Sequence, residues 1–160
     1  KPVNLFVAGF IVMPVMNFFD GSRLLLGNER YFAEIKGVRF ELSEFQQKAL
    51  TANGQKPCDI IAGLRPNHIT IGEGPLRADI EVSEMLGTEV NLHTVCQGDN
   101  VVMVIPTMDL AVNVDIGASV DFNFQPRLLQ LFDKATGNNL IWFDPESAAA
   151  NAPKSREYSF

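Results

Sequence analysis

Apolar positions along the chain fall into three regimes. From Leu5 to Phe19 no residue is charged. The run is shorter than the ~18–20 apolar residues a membrane span needs, and Pro14 and Asn17 interrupt it. Asn4 as N-cap predicts a short helix from Leu5 to about Val12, stopped before Pro14. Apolar all round, that helix is expected to bury itself against a neighbour. After Pro14 the period shortens. Asn17 to Leu26, Tyr31 to Ile35 and Val38 to Leu42 read as strands, with turns at Gly27-Asn28-Glu29 and Lys36-Gly37. Together they predict a three-stranded meander. Ser43-Glu-Phe-Gln46 then fits a capping box, in which the Ser43 hydroxyl and the Gln46 amide cap each other's backbone. Phe45, Ala49 and Leu50 lie on one face of the helix that follows, and Asn53-Gly54 ends it.

Strand signals dominate the third regime. Asp59 to Leu64 is mostly apolar, and His68 to Ile71 is short. Arg77 to Leu86 alternates, with Ala78, Ile80, Val82 and Met85 set against Arg77, Asp79, Glu81 and Glu84. Its phase slips near Ser83, which predicts a bulge of the kind that bends a strand around a barrel. Gly87 turns the chain into Glu89 to Cys96, and Gly98-Asp99-Asn100 makes a hairpin into Val101 to Ile105. Ser119 to Phe124 and Leu140 to Phe143 complete the set. Short strands with few helices mean a sandwich or a barrel. The expected fold is mainly β: an OB-like barrel with an elaboration, a short N-terminal linker helix and one short inserted helix. The expected boundaries are a linker at 1–13, the β domain at 14–143 and a flexible tail at 144–160, which has no apolar period.

Composition narrows the partners. The chain has 160 residues and a net charge of −6, enough for one self-sufficient core. An acidic chain is poorly suited to phosphate backbones or anionic membrane surfaces. Twelve Phe residues suggest base-stacking platforms. Those in the apolar runs, Phe6, Phe10, Phe18 and Phe19, look like core, and no basic groove accompanies them. No nucleic-acid partner is expected. Cys58 and Cys96 are too few for a disulfide scaffold and form no CxxC pair, so they read as small core residues. The chain starts with Lys1 and lacks the basic n-region and A-x-A site of a signal peptide. A fragment or a processed chain is expected.

Catalytic motifs are missing. There is no GxxxxGK[ST], no GxGxxG after a strand, no HExxH and no GxSxG. Two histidines, His68 and His93, are too few for a metal site, which needs three or four converging ligands. Glu81, Glu84 and Glu89 surround Gly87. A pair of carboxylates in unlike environments would suit acid–base chemistry. Alternation already explains Glu81, so a solvated strand face accounts for the group.

Three stretches are more specific. They are Pro2-Val-Asn-Leu-Phe-Val-Ala-Gly-Phe-Ile11 followed by Pro14-Val-Met-Asn-Phe-Phe19, then Gly63-Leu-Arg-Pro-Asn-His-Ile69, then Glu84-Met-Leu-Gly-Thr-Glu89. A fourth, Leu131-Phe-Asp-Lys-Ala-Thr-Gly137, follows in order. The set resembles the C-terminal regulatory region, the transport-associated OB region, of the ATP-binding subunit of maltose-type carbohydrate ABC importers. The resemblance implies OB-like barrels behind an ATPase domain absent from this chain. Residues 2–11 resemble the helix joining the two, with Phe6, Phe10, Pro14 and Asn17 as linker residues. It implies no catalytic site or cofactor in this chain, since ATP and Mg would bind the missing domain. The implied partners are that ATPase domain, a second copy of the subunit, the transporter's membrane subunits, and a regulatory protein or small molecule. The implied location is cytoplasmic, at the inner face of the membrane.

The chain departs from the family at two places. Val12-Met13 stand where a Gly and a small polar residue usually precede Pro14. Asn67 stands where a Glu is usual, which removes a carboxylate between Arg65 and His68. Arg65, Pro66 and His68 match. Pro66 forces Arg65 into extended backbone and lacks an amide donor, which suits a strand end. Arg65 is expected to pair with Glu84 or Glu89 across the barrel. Arg65, Pro66, His68, Glu84, Gly87 and Glu89 are therefore the candidate regulatory, interface or ligand residues. The function expected is that of a regulatory and dimerisation domain. The alternative is a sugar- or oxyanion-sensing barrel.

Overall fold

A computed structural model describes residues 16–141. The predicted linker helix, with Phe6, Phe10 and Pro14, and the predicted tail at 144–160 lie outside the described residues. The described chain is built from β1 (Asn17–Gly27), β2 (Arg30–Ile35), β3 (Val38–Glu41), α1 (Glu44–Ala52), β4 (Cys58–Leu64), β5 (Ile69–Leu86), β6 (Glu89–Cys96), β7 (Asp99–Pro106), β8 (Ser119–Phe124) and β9 (Gln130–Asp133). These strands form two antiparallel sheets, ordered β3-β2-β1-β4-β9 and β7-β6-β5-β8.

The meander forms as its turns predict, with Gly27 paired to Arg30 and Ile35 to Val38. The capping box of α1 also forms. The Ser43 hydroxyl accepts from the Gln46 amide, and the Gln46 side chain accepts from the Ser43 amide. The helix is held by its own polar groups as well as by Ala49 and Leu50. Its Gln47 side chain is buried, donates to the Tyr31 and Leu42 carbonyls, and accepts from the Tyr31 amide. One carboxamide thus satisfies backbone groups that a neighbouring strand would otherwise satisfy.

One core unites the two sheets. Leu24, Ile35, Leu50, Ile60 and Leu64 from the first layer and α1 join Leu76, Ile80, Leu92, Met103 and Phe122 from the second. Each large side chain among these contributes about 1.5–3 kcal/mol by leaving water. Phe40 of β3 stacks on Phe124 of β8 with centroids 4.6 Å apart, tying the edge of one sheet to the edge of the other.

Three expectations are corrected. First, 69–86 is one strand rather than two. The register against β8 shifts between Ile71 and Leu76, so the Gly72-Glu-Gly-Pro75 stretch bulges out without ending the strand. A Cβ on Gly74 would stand 2.1 Å from the Phe122 carbonyl oxygen, so only glycine permits this approach. Second, the predicted bulge near Ser83 lies between Ile80 and Val82. Ser83 faces buried Leu92 across the ladder because the slip has already happened. Third, the closing strand is Gln130–Asp133, not Leu140–Phe143. Residues 140 and 141 are in a turn, and Trp142 and Phe143 lie outside the described residues. Asp133 explains the reversal. Its carboxylate accepts from the Ala135 and Thr136 amides, and its carbonyl accepts from the Gly137 amide.

Candidate functional site

Two proline corners carry the chain from one sheet to the other. Gly63 of β4 pairs with Gln130 of β9, and Ile69 of β5 pairs with Phe124 of β8. Residues 64–68 and 125–129 are therefore the two connections between the sheets, and the first of them packs against β7. Each corner holds a short 3-10 turn that starts at a proline, Pro66–His68 and Pro126–Leu128. Pro66 is buried, and Arg65 before it is extended, as the sequence predicts. The His68 amide donates to the Arg65 carbonyl at 3.0 Å, and the Leu128 amide donates to the Gln125 carbonyl at 2.9 Å. Gln46 of α1 braces the second corner by donating to the Pro126 carbonyl at 2.9 Å.

The corner pair gathers positive charge. Arg65 and His68 are half-buried, and Arg127 is exposed. Burial pushes the His68 imidazole below its ordinary range, and the charges of Arg65 and Arg127 push it the same way. His68 Nδ1 is buried without a hydrogen-bond partner. Among the described residues neither Arg65 nor Arg127 has an ion pair, and Arg127 donates only to the neutral Gln125 side chain. Asn67, the exposed residue between Arg65 and His68, supplies no charge.

The expected pair between Arg65 and Glu84 or Glu89 is not formed. Val82 pairs with His93, which puts Glu84 and His93 on the solvent face of the second sheet. There Glu84 Oε1 lies 3.8 Å from His93 Nε2. Gly87, with φ of +72°, makes the tight turn between Glu84 and Glu89 that its sequence position predicts. That turn is tied down by Thr107, whose amide donates to the Thr88 carbonyl at 2.8 Å and whose hydroxyl donates to the Gly87 carbonyl at 2.9 Å. Met85, Leu86 and Met108 stand exposed beside it. Glu84, Gly87 and Glu89 thus form a second locality, joined to the cationic corners by no ion pair among the described residues.

Asn17, expected as a linker residue, clamps the two sheets. Its Nδ2 donates to the Val102 carbonyl at 2.8 Å, and its Oδ1 accepts from the Val102 amide at 2.9 Å. Val102 lies on the edge strand β7, so one side chain pairs with the edge as a strand would. Both cysteines are free, and burial pushes both thiols up. Arg127 was not singled out from the sequence, and Gln46 was read there only as half of the capping box. The signal for Arg127 was present in Gln125-Pro126-Arg127, which repeats the strand–Pro pattern of Leu64-Arg65-Pro66.

Among the described residues, two antiparallel sheets on one core, with a single inserted α-helix, define an OB-like β domain. Residues 62–132 match the TOBE domain family. An uncharacterized ABC transporter ATP-binding protein of Bacillus subtilis is 34% identical over 142 residues, covering 84% of this chain and 38% of its own. The trehalose/maltose import ATP-binding protein of Thermococcus litoralis is 32% identical, covering 88% of this chain and 38% of its own. The multiple sugar-binding transport ATP-binding protein of Streptococcus mutans is 31% identical, covering 94% of this chain and 37% of its own. Among solved structures, the cytoplasmic molybdate-binding protein ModG superposes with a TM-score of 0.57, covering 78% of this chain and 99% of that one. At 11% identity this likeness shows the fold alone. Residues 62–132 thus carry the TOBE domain match, and most of the chain is similar to part of the ATP-binding subunits of carbohydrate ABC importers. The chain spans little more than a third of the length of those relatives.

Proposed function

We propose that the chain is the regulatory and dimerisation region of an ATP-binding subunit for sugar import, with no catalytic site of its own. One observation carries this reading: the relatives cover 84–94% of this chain, yet the chain covers only 37–38% of them. ATP and Mg would bind the remainder of the parent subunit. The partners are that ATPase domain, a second copy of the subunit and the transporter's membrane subunits, at the inner face of the membrane. The region acts by making different contacts in two states of the subunit pair, because an effector shifts an equilibrium only through differential affinity. Sedimentation of the purified chain, paired with an ATP-turnover assay, tests both halves. The expected result is a reversible dimer without turnover. A monomer at every concentration would overturn the dimerisation half, and contaminant-free turnover would overturn the other.

A second reading, small-molecule sensing, is favoured by the corner pair. There the charges of Arg65 and Arg127 both act on His68 in an otherwise acidic chain, with no carboxylate among the charges that act on it.

A further inference from the structure

We propose that the open edge of β5 at residues 81–86 docks an extended, cationic segment of another protein, which adds to the second sheet as a further strand. The inference deepens the regulatory reading and rests on it, because such a region works through contacts with partners.

The ladder leaves this edge open. β5 pairs with β6 from Asp79 to Leu86, the last opposite Glu89. Its pairing with β8 stops at Asp79, opposite Ser119. Ile80 makes the last bonds on that side, donating to the Ala118 carbonyl and accepting from the Gly117 amide, both at 2.8 Å. Among the described residues, no backbone group bonds to residues 81–86 on that side. The alternation of the ladder says which groups are free. The amide and carbonyl of Val102 both bond to Asn17, so they turn away from β6. Val102 faces His93, so His93 turns its own groups toward Val82 of β5. Bonded and non-bonded pairs alternate along an antiparallel ladder. Glu84 and Leu86 therefore bond to β6 as Val82 does, and Ser83 and Met85 present N–H and C=O outward. Such outward groups are the template to which an extended segment adds.

Side chains and charge define what fits. Val82, Met85 and Leu86 are exposed along the edge, with Met108 exposed at the hairpin tip and Ile116, next to Gly117, exposed at the other end. Glu81 and Glu84 are exposed on the same stretch, and Glu89 follows the turn. Between Arg77 and Arg127 the chain has eight Asp and Glu residues and no Lys or Arg, whereas the rest of it holds thirteen basic and eleven acidic residues. The acidity of the molecule is thus concentrated in the sheet that carries the open edge. Asp99 and Asp121 are taken by Lys36 and Arg77. Glu81 and Glu89 have no ion pair among the described residues, and Glu84 has only His93 at 3.8 Å. A second copy would bring the same carboxylates to the same edge, and like charges across a strand pair destabilise it. A strand that alternates Lys or Arg with aliphatic residues has the opposite effect. Consecutive residues point to opposite faces, so such a strand sets its cations beside Glu84 and its aliphatic side chains beside Met85.

Calorimetric titration of the 160-residue chain with an end-capped octapeptide of alternating lysine and valine tests the edge, with amide exchange followed by NMR in the same samples. Saturable binding of one peptide per chain is expected, with the Ser83 and Met85 amides protected when it binds. Met85→Pro removes an outward N–H at a place where an edge strand accepts proline. It should weaken binding about fivefold or more, the net worth of one hydrogen bond. Glu84→Lys changes an exposed side chain, keeps the test decisive if proline disturbs the hairpin, and should weaken binding at least as much. Absence of saturable heat up to roughly 1 mM peptide at low salt would overturn the proposal. Equal affinity in the wild-type and both variant chains would overturn it too, since charge alone would then hold the peptide. Protection of Ser83 and Met85 before any peptide is added would mean that a second copy or another part of the chain already fills the edge, which also overturns it. A chain that sediments as a monomer yet binds the peptide would refute the dimerisation reading alone, so the two fail separately.

Discussion

Replacing Asn17 by alanine tests how the two sheets are held together. The side chain is 6% exposed and satisfies both the amide and the carbonyl of Val102 on the edge strand β7. Alanine removes two hydrogen bonds, each with a net worth of about 1 kcal/mol. It also leaves the Val102 groups facing the first sheet without partners, and an unsatisfied buried group costs about 1–3 kcal/mol. Water entering the vacated space recovers part of that. The expected loss is about 2–4 kcal/mol, which lowers Tm by roughly 10 °C in a domain of this size. Thermal and urea denaturation followed by circular dichroism measure it, with an unchanged m-value as the sign that the folded state stays compact. Asn17→Asp is the control. It keeps the acceptor for the Val102 amide but sets a carboxylate oxygen against the Val102 carbonyl. It should therefore be no better than alanine at neutral pH, and partly recover when acid protonates the new side chain. A loss below about 0.5 kcal/mol for Asn17→Ala, the size of an ordinary surface change, would refute the reasoning. The shared core alone would then hold the layers.

Gly74→Ala should destabilise the chain by about 3 kcal/mol or more. The new Cβ meets the Phe122 carbonyl oxygen at 2.1 Å, and a φ of +155° alone strains a residue with a side chain by ~1–3 kcal/mol. An unchanged urea midpoint would show that the β5–β8 bulge opens freely. Acidification should destabilise through His68. Its folded pKa lies below 6.5, the value of the free side chain, so below about pH 6.5 the unfolded chain binds more protons than the folded one. That contribution is complete above 6.5 and is lost as pH falls toward the folded value. Urea melts at pH 7.5, 6.5 and 5.5 should show a steeper acid loss in the native chain than in His68→Gln. The opposite ordering would mean that the folded corner favours the imidazolium.

Local signals were legible where neighbours in sequence decide the structure. The Ser43–Gln46 capping box and the turns at Gly27, Gly37, Gly87 and Gly98 need only a few residues, so their reading and their geometry agree. Signals failed where a distant partner decides. Gly72-Glu-Gly-Pro75 carries every mark of a break, yet β8 pairs with the residues on both sides of it, Ile71 and Leu76 both opposite Phe122. The run from Leu128 to Phe132 has no alternation, because Leu131 faces the core while Phe132 packs edge-on against Phe18 on the opposite face. A strand covered on both sides reads as a featureless apolar run.

The same division applies to the candidate site. Arg65-Pro66 is a local pattern, and its extended backbone and buried proline were readable. What the arginine faces was not. Alternation placed Glu84 on a strand face without saying which sheet surface that face belonged to, so a pairing with Arg65 looked natural. The fold instead gives Glu84 to His93 and leaves Arg65 without an ion pair among the described residues. Asn17 makes the argument sharpest, since its partner is 85 residues distant. A polar residue that interrupts an apolar run reads as a linker when only the run is visible. Opposite an unpaired strand edge, the same carboxamide becomes the group that closes the domain.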